Sequence, residues 1–154
     1  MKNKPGLTFP VAFYFNVEFK KGTYVAAIPF QEVSGLTVEM ETEEIKEGGE
    51  NGFSYLVPTR MKHGNLVLKR ALAPVKNDFL EGLASRPLNG DAISSLTLFD
   101  ITVNLLGENS DPLRSWLLTG AYPVKWDMVP FAANKNEIAV ETMEFTYTKL
   151  QRKL

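Results

Sequence analysis

The side chains that could carry chemistry in this chain of 154 residues are few and scattered. The chain contains no cysteine and one histidine, His63, which precedes Gly64 in a predicted exposed turn. A zinc site needs two or three further ligands at fixed spacing, and none lies close to His63 in the sequence. Ser34 lacks the Gly-x-Ser-x-Gly frame of a serine nucleophile. We therefore predict no catalytic residue, no metal site, no cofactor and no enzymatic activity.

A cluster of carboxylates is the strongest remaining polar feature. Its members are Glu39, Glu41, Glu43, Glu44, Glu47 and Glu50. They lack the Asp-x-Asp-x-Asp-Gly order of a calcium loop, and no Gly-Lys-Ser/Thr follows the glycines of residues 48–52, as a phosphate-binding loop requires. A solvated strand face, a charge-lined channel and a surface for a basic partner all fit this cluster.

The element that positions these carboxylates is a predicted β-hairpin. Apolar and acidic side chains alternate between residues 36 and 45, which is the period of a strand with one apolar and one acidic face. Residues 47–52 are rich in glycine, and strand-like composition returns over residues 53–60. We expect the apolar face to lie against the subunit's own core, so that Val38→Asp should prevent folding.

The remaining sequence indicates about seven strands in all and one short helix. Turn signals recur at roughly the spacing of 8 to 12 residues that sandwiches and barrels show. No helix falls between successive strands, which excludes doubly wound α/β folds. The sequence predicts a mainly β fold, a small antiparallel β-barrel or sandwich with one flanking α-helix and a long β-hairpin, in a single domain over residues 1–154.

Charge and hydropathy limit the partners. The 17 basic and 18 acidic side chains give a formal net charge of −1, whereas binding to phosphate backbones needs clustered Lys and Arg. We predict no specific nucleic-acid binding. No run approaches the ~18 apolar residues of a membrane span, so we also predict no membrane insertion. The edges of a long hairpin invite pairing unless neighbouring copies cover them.

Five segments spread over nearly the whole chain resemble, in the same order, the tail-tube protein family of contractile phages and contractile injection systems. They are Phe13–Val17, Phe30–Leu36, Asn65–Arg70, Trp116–Trp126 and Asn136–Glu144. The resemblance implies a small β-barrel with a flanking helix at Phe79–Ala84, and a hairpin that joins those of its neighbours into the wall of a channel.

The same resemblance assigns roles to residues of this hairpin. Its wall strands would be Leu36–Ile45 and Phe53–Arg60. A subunit interface is implied for six apolar side chains, Leu36, Val38, Met40, Phe53, Tyr55 and Val57. A lumen-facing or inter-subunit role is implied for Glu39, Glu41 and Glu43.

The implied function is structural. Homo-hexameric rings would stack into a hollow tube inside a contractile sheath, meet hub or spike proteins at a baseplate, and conduct protein effectors or DNA into a target cell. Such particles assemble in the cytoplasm of the producing cell and end as extracellular or envelope-anchored particles or as virion tails. The loop at residues 47–52 is similar to that of baseplate-proximal tube initiators, which leaves the bulk subunit and the initiator both open. A stand-alone β-barrel for a small ligand and an enzyme with a dispersed site are the alternatives.

Overall fold

The computed structural model describes residues 14–46, 48–49, 52, 54–71, 97–128 and 139–154. These residues form antiparallel strands and no helix, so the predicted mainly β antiparallel class is confirmed. The strands are β1 (Tyr14–Lys21), β2 (Tyr24–Phe30), β3 (Glu32–Ser34), β4 (Val38–Lys46), β5 (Ser54–His63), β6 (Leu66–Ala71), β7 (Phe99–Leu106), β8 (Pro112–Met128), β9 (Val140–Thr146) and β10 (Lys149–Arg152). The predicted flanking helix, Phe79–Ala84, lies outside the described residues.

Eight of these strands form one folded-over sheet, in the order β2-β1-β7-β8-β9-β6-β3 with β10 beside β8. The long strand β8 turns a corner, because its first half pairs with β7 and its second half with β9. Strands β2 and β3 turn the opposite corner and are separated only by Gln31, whose N–H donates to the Lys69 carbonyl at 3.0 Å.

The described strands therefore form two layers that share bent corner strands, as in a sandwich. No ladder of hydrogen bonds closes the described strands into a barrel, so the closed-barrel form of the prediction is not found in them. The physical reason is that the layers are joined by continuous chain at the β2–β3 corner, and not by pairing between β2 and β6.

Alternating apolar side chains of the two layers meet in one core. Val17 and Phe19 of β1 are fully buried, in agreement with the predicted period of two. The ring centroid of Phe19 lies 5.6 Å from that of Phe145 on β9 and 6.5 Å from that of Phe30 on β2, so this side chain joins both layers. The described core draws no buried side chain from β4 or β5, and the body is therefore packed without the hairpin.

One ion pair is buried at the end of this core. Arg70 on β6 and Glu141 on β9 stand directly opposite each other, and Nε of Arg70 lies 2.6 Å from Oε2 of Glu141. Glu141 is only 2% exposed. Because a slip of the β6–β9 pairing would separate these charges, the pair favours the observed register.

Candidate functional site: the exposed β4–β5 hairpin

The β4–β5 hairpin stands apart from the folded-over sheet. Among the described strands, β4 and β5 pair only with each other, from Val38 opposite His63 to Lys46 opposite Ser54. The pairing shifts by one residue after Glu41, which leaves Thr59 without an opposite residue and forms a β-bulge. The Thr59 hydroxyl donates to the Glu41 carbonyl at 3.0 Å. Both outer edges of the hairpin are unpaired in the described part of the chain.

Residues that stand opposite each other in a hairpin lie on the same face. This rule defines two faces of the half nearest the body. One side carries Glu39, Glu41, Glu43, Arg60 and Lys62, and we call it the charged face. The other side carries Val38, Met40, Met61 and His63, and we call it the methionine face.

The bulge changes which apolar residues share a face. Beyond it, Tyr55 stands opposite Ile45 and Val57 stands opposite Glu43. These apolar side chains therefore lie on the charged face, and not on the face of Val38. The outer half of the hairpin thus carries most of its apolar side chains on the face opposite to that of Val38 and Met40, with Leu56 as the exception.

The methionine face does not pack on the subunit's own core, so that prediction is wrong. Val38 is 45% exposed, Met40 57% and Met61 63%. Leu36, just before β4, is half-buried against the core. Phe53 lies outside the described residues. The hairpin projects beyond the body, and its apolar side chains are left for another molecule to cover.

The exposure of Val38 reverses the expected effect of a charge there. We now expect Val38→Asp to leave the subunit folded, with a loss of about 1 kcal/mol or less in unfolding free energy. Val17→Asp is the matched control, because it places the same charge at a fully buried strand position and should prevent folding. Circular dichroism during urea denaturation checks both variants. Unfolded Val38→Asp would contradict the exposed hairpin.

An ion pair organises the charged face. Nε of Arg60 donates to Oε2 of Glu41, and Nη2 donates to Oε1 at 3.3 Å. This hydrogen bonding is the main reason that the pKa of the Glu41 carboxyl is lowered, and it raises the pKa of Arg60. Both side chains are solvated, so the pair defines local geometry more than it stabilises the fold.

Nuclear magnetic resonance titration of the glutamate carboxyls tests this pair. Arg60→Gln should raise the pKa of Glu41 toward its ordinary value, because the hydrogen bond is lost. Lys62→Gln should raise it less, since Lys62 acts only through space. The lowered pKa means that the pair contributes above the ordinary glutamate pKa and that its contribution is lost as pH falls through the folded value. An unchanged Glu41 titration in Arg60→Gln would contradict the contact.

The basic residues of the hairpin are side chains of the candidate site that the sequence prediction overlooks. On the charged face the three carboxylates, Glu39, Glu41 and Glu43, are accompanied by two cations, Arg60 and Lys62. The formal charge of the predicted acidic face is therefore only −1. The alternation of Arg60 and Lys62 around Met61 was the available signal, but only the register shows that they stand opposite Glu41 and Glu39.

The base of the hairpin is attached to the body by an aromatic stack. The ring centroids of His63 and Tyr147 are 4.0 Å apart and their planes differ by 14°. Tyr147 is buried, which raises the pKa of its phenol. His63 is the half-buried end of β5 and not the predicted exposed turn residue. Because His63 belongs to the methionine face, the stack turns that face toward the body at the hairpin base.

Two other kinds of feature are absent from the described ranges. No group of three or more His, Asp or Glu side chains there could hold a metal ion. No helix among the described residues is long and apolar enough to span a membrane.

The comparisons with known proteins agree with this architecture. Solved structures of several tube and injection-system proteins are similar to the chain, and three of them represent the range of identity. A chain of the anti-feeding prophage (AFP) baseplate, solved with six-fold symmetrisation, is 28% identical, with a TM-score of 0.75 over 99% of this chain and 97% of that chain. A chain of the PVC sheath-tube complex in the extended state is 24% identical, with a TM-score of 0.72 over 90% and 87%. A type six secretion system protein is 14% identical, with a TM-score of 0.61 over 92% and 83%, which shows a shared fold. No curated protein sequence matches.

The sequence itself matches a family model along most of its length. The matched residues, 11–151, include the described strands from β1 to β9 and all but the last residue of β10, and the model is that of the T4-like virus tail tube protein gp19. The proteins of this family are structural and not enzymes, in agreement with a chain whose most unusual feature is an exposed, two-faced hairpin. This chain belongs to the T4-like tail tube protein family, and it is a tail tube protein of the kind found in contractile injection systems and phage tails.

Proposed function

We propose that the chain forms hexameric rings that stack into the hollow inner tube of a contractile injection system or contractile phage tail. The observation that carries this proposal is the β4–β5 hairpin, whose outer edges are unpaired and whose apolar side chains are exposed in the described chain. Isolated two-stranded hairpins are marginally stable, and their edges tend to pair with other chains. A ring of copies supplies a β5 edge for every β4 edge.

In this proposal the charged face, with Glu39, Glu41 and Glu43, lines the channel. Its paired charges are satisfied in water, and their burial would cost desolvation free energy. The methionine face packs on an adjacent copy, since removal of exposed Val and Met side chains from water is favourable at about 25 cal/mol per Å². The His63–Tyr147 stack supports this orientation, because it turns the methionine face toward the body.

The outer half of the hairpin has a different role in the proposal. Ile45, Tyr55 and Val57 place apolar side chains on the charged face, which does not suit a water-filled channel. We assign this half to a contact with the next ring of the stack. The predicted interface residues Tyr55 and Val57 then meet a different neighbour from Val38 and Met40.

The proposed partners are the sheath outside the tube and the hub or spike proteins of the baseplate below it. The relative from a sheath-tube complex supports the first partner, and the relative from a baseplate supports the second. Assembly takes place in the producing cell, and the particle ends as an extracellular or envelope-anchored machine or as a virion tail. The cargo is a protein effector or DNA that passes along the charged face without being bound.

Electron microscopy of the chain, expressed with its baseplate and sheath partners, tests the proposal. We expect rings of six-fold symmetry that stack into a tube. Quantitative mass spectrometry of the particle separates two positions, since an initiator stays at one ring per particle whereas a bulk subunit increases with tube length. A strict monomer in the presence of all partners would overturn the proposal and favour a stand-alone ligand-binding protein.

A further inference from the structure

We propose that charge favours the contact between hairpins that closes a ring: the outer edge of β4 in one copy pairs with the outer edge of β5 in the next copy, and like edges repel each other. This inference rests on the proposed function, because it concerns contacts between copies. It names the partner as a second copy of this chain and the recognition element as the charged face of the hairpin.

The two strands divide the charges of this face completely. All the charged side chains that β4 places on this face are carboxylates, and all those that β5 places there are cations, Arg60 and Lys62. Each hairpin therefore has an acidic edge strand and a basic edge strand. Two identical copies can meet by like strands, which sets like charges beside each other, or by unlike strands, which sets opposite charges beside each other.

Arg60 has hydrogen-bonding capacity left for a second carboxylate. Its guanidinium gives Nε and Nη2 to Glu41 and retains the Nη1 group, for which the described residues provide no partner. The side chain is 73% exposed, so a neighbouring chain can reach it. A planar guanidinium that binds one carboxylate on one side and another on the opposite side would connect the hairpins of adjacent copies.

A contact between unlike edges is also the only one that is compatible with a ring. Rotation about a channel axis carries β4 of one copy to β4 of the next, so the strand order around the wall alternates between β4 and β5. Adjacent strands of neighbouring copies are then antiparallel, and the contact is heterologous, which is the type that closes into rings. In such a wall every acidic strand has a basic strand on both sides, and the channel surface is a nearly neutral mosaic.

Charge reversal tests the pairing without changing its shape. The fourfold variant E39K/E41R/R60E/K62E keeps opposite charges within each hairpin and between its own copies, whereas a contact with the wild type brings like charges together. Differently tagged wild-type and variant chains are purified as unassembled subunits and mixed with the partner proteins in buffers of low or high salt, and mixed rings are counted after affinity capture. We expect mixed rings to be at least tenfold rarer than random mixing gives at low salt, and to increase in 0.5 M salt, where charges are screened.

A neutral variant keeps the test decisive if the reversed chain assembles poorly. Wild-type assembly should require a higher protein concentration as salt rises, and E39Q/E41Q/R60Q/K62Q should lose most of this salt dependence. Random mixing at all salt concentrations, or equal salt dependence of the neutral and wild-type chains, would overturn the pairing rule and leave the tube function standing. Absence of rings from the wild type with all partners present would instead overturn the tube function, and the pairing with it.

Discussion

Replacement of Arg70 by methionine should destabilise the subunit by about 3–5 kcal/mol, because it removes the partner of a buried charge. Glu141 is 2% exposed, and its Oε2 lies 2.6 Å from Nε of Arg70. Methionine fills much of the same volume but cannot donate a hydrogen bond. The carboxylate would then be buried without a counter-charge, which is among the costliest single changes in a protein interior.

The neighbouring position supplies a matched control. Lys69 lies one residue before Arg70, and its Nζ lies 3.4 Å from Glu32, but both of these side chains are exposed. Lys69→Met should change the unfolding free energy by no more than about 1 kcal/mol. The double variant R70M/E141L should recover most of the loss, because both charges leave together. Urea denaturation of the unassembled subunit measures all three, and equal losses for R70M and Lys69→Met would contradict the role given to burial.

The alternation of apolar and polar residues made much of the body predictable. Phe19 shows this directly, since it and Val17 alternate with polar residues in the sequence and are fully buried in β1. Period alone does not show which strands bend. The sequence of β8 suggests a strand that ends near Tyr122, but the strand continues to Met128 by exchanging β7 for β9. The change of pairing partner along β8 depends on contacts between residues far apart in the sequence, and local periodicity does not reveal such contacts.

Prolines explain why the hairpin faces were harder to predict. Pro58 lies in β5 next to the unopposed Thr59, and Pro123 lies in β8 where the register of its pairing with β9 also shifts. Proline lacks the N–H that a regular ladder needs, so it is tolerated at bulges and edges. A one-residue shift moves every later side chain to the opposite face, and for this reason Tyr55 and Val57 lie beside Glu43.

Replacement of Gly35 by alanine should cost about 3 kcal/mol or more, and the strain should fall on the junction between hairpin and body. Gly35 has a φ of +85°, which costs an alanine about 1–2 kcal/mol. A Cβ atom there would also lie 1.8 Å from the carbonyl oxygen of Asn65, so backbone must move. Asn65 yields poorly, because its Nδ2 donates to Glu144 at 2.7 Å and the next residue, Leu66, is fully buried.

Substitutions at two other glycines distinguish the effect of backbone strain from that of the steric clash with Asn65. Gly22→Ala carries a similar backbone penalty at φ +59° but meets no atom within 4 Å, so it should cost about 1–2 kcal/mol. Gly64→Ala has neither a positive φ nor a contact shorter than 3.5 Å and should cost least. If Gly35→Ala were no worse than Gly22→Ala, the close approach to Asn65 would not matter. Gly35 and Asn65 lie in the two segments that connect the hairpin to the body. A Gly35→Ala subunit that still folds should therefore hold its hairpin in an altered orientation. We expect it to form fewer rings than Gly22→Ala in electron micrographs.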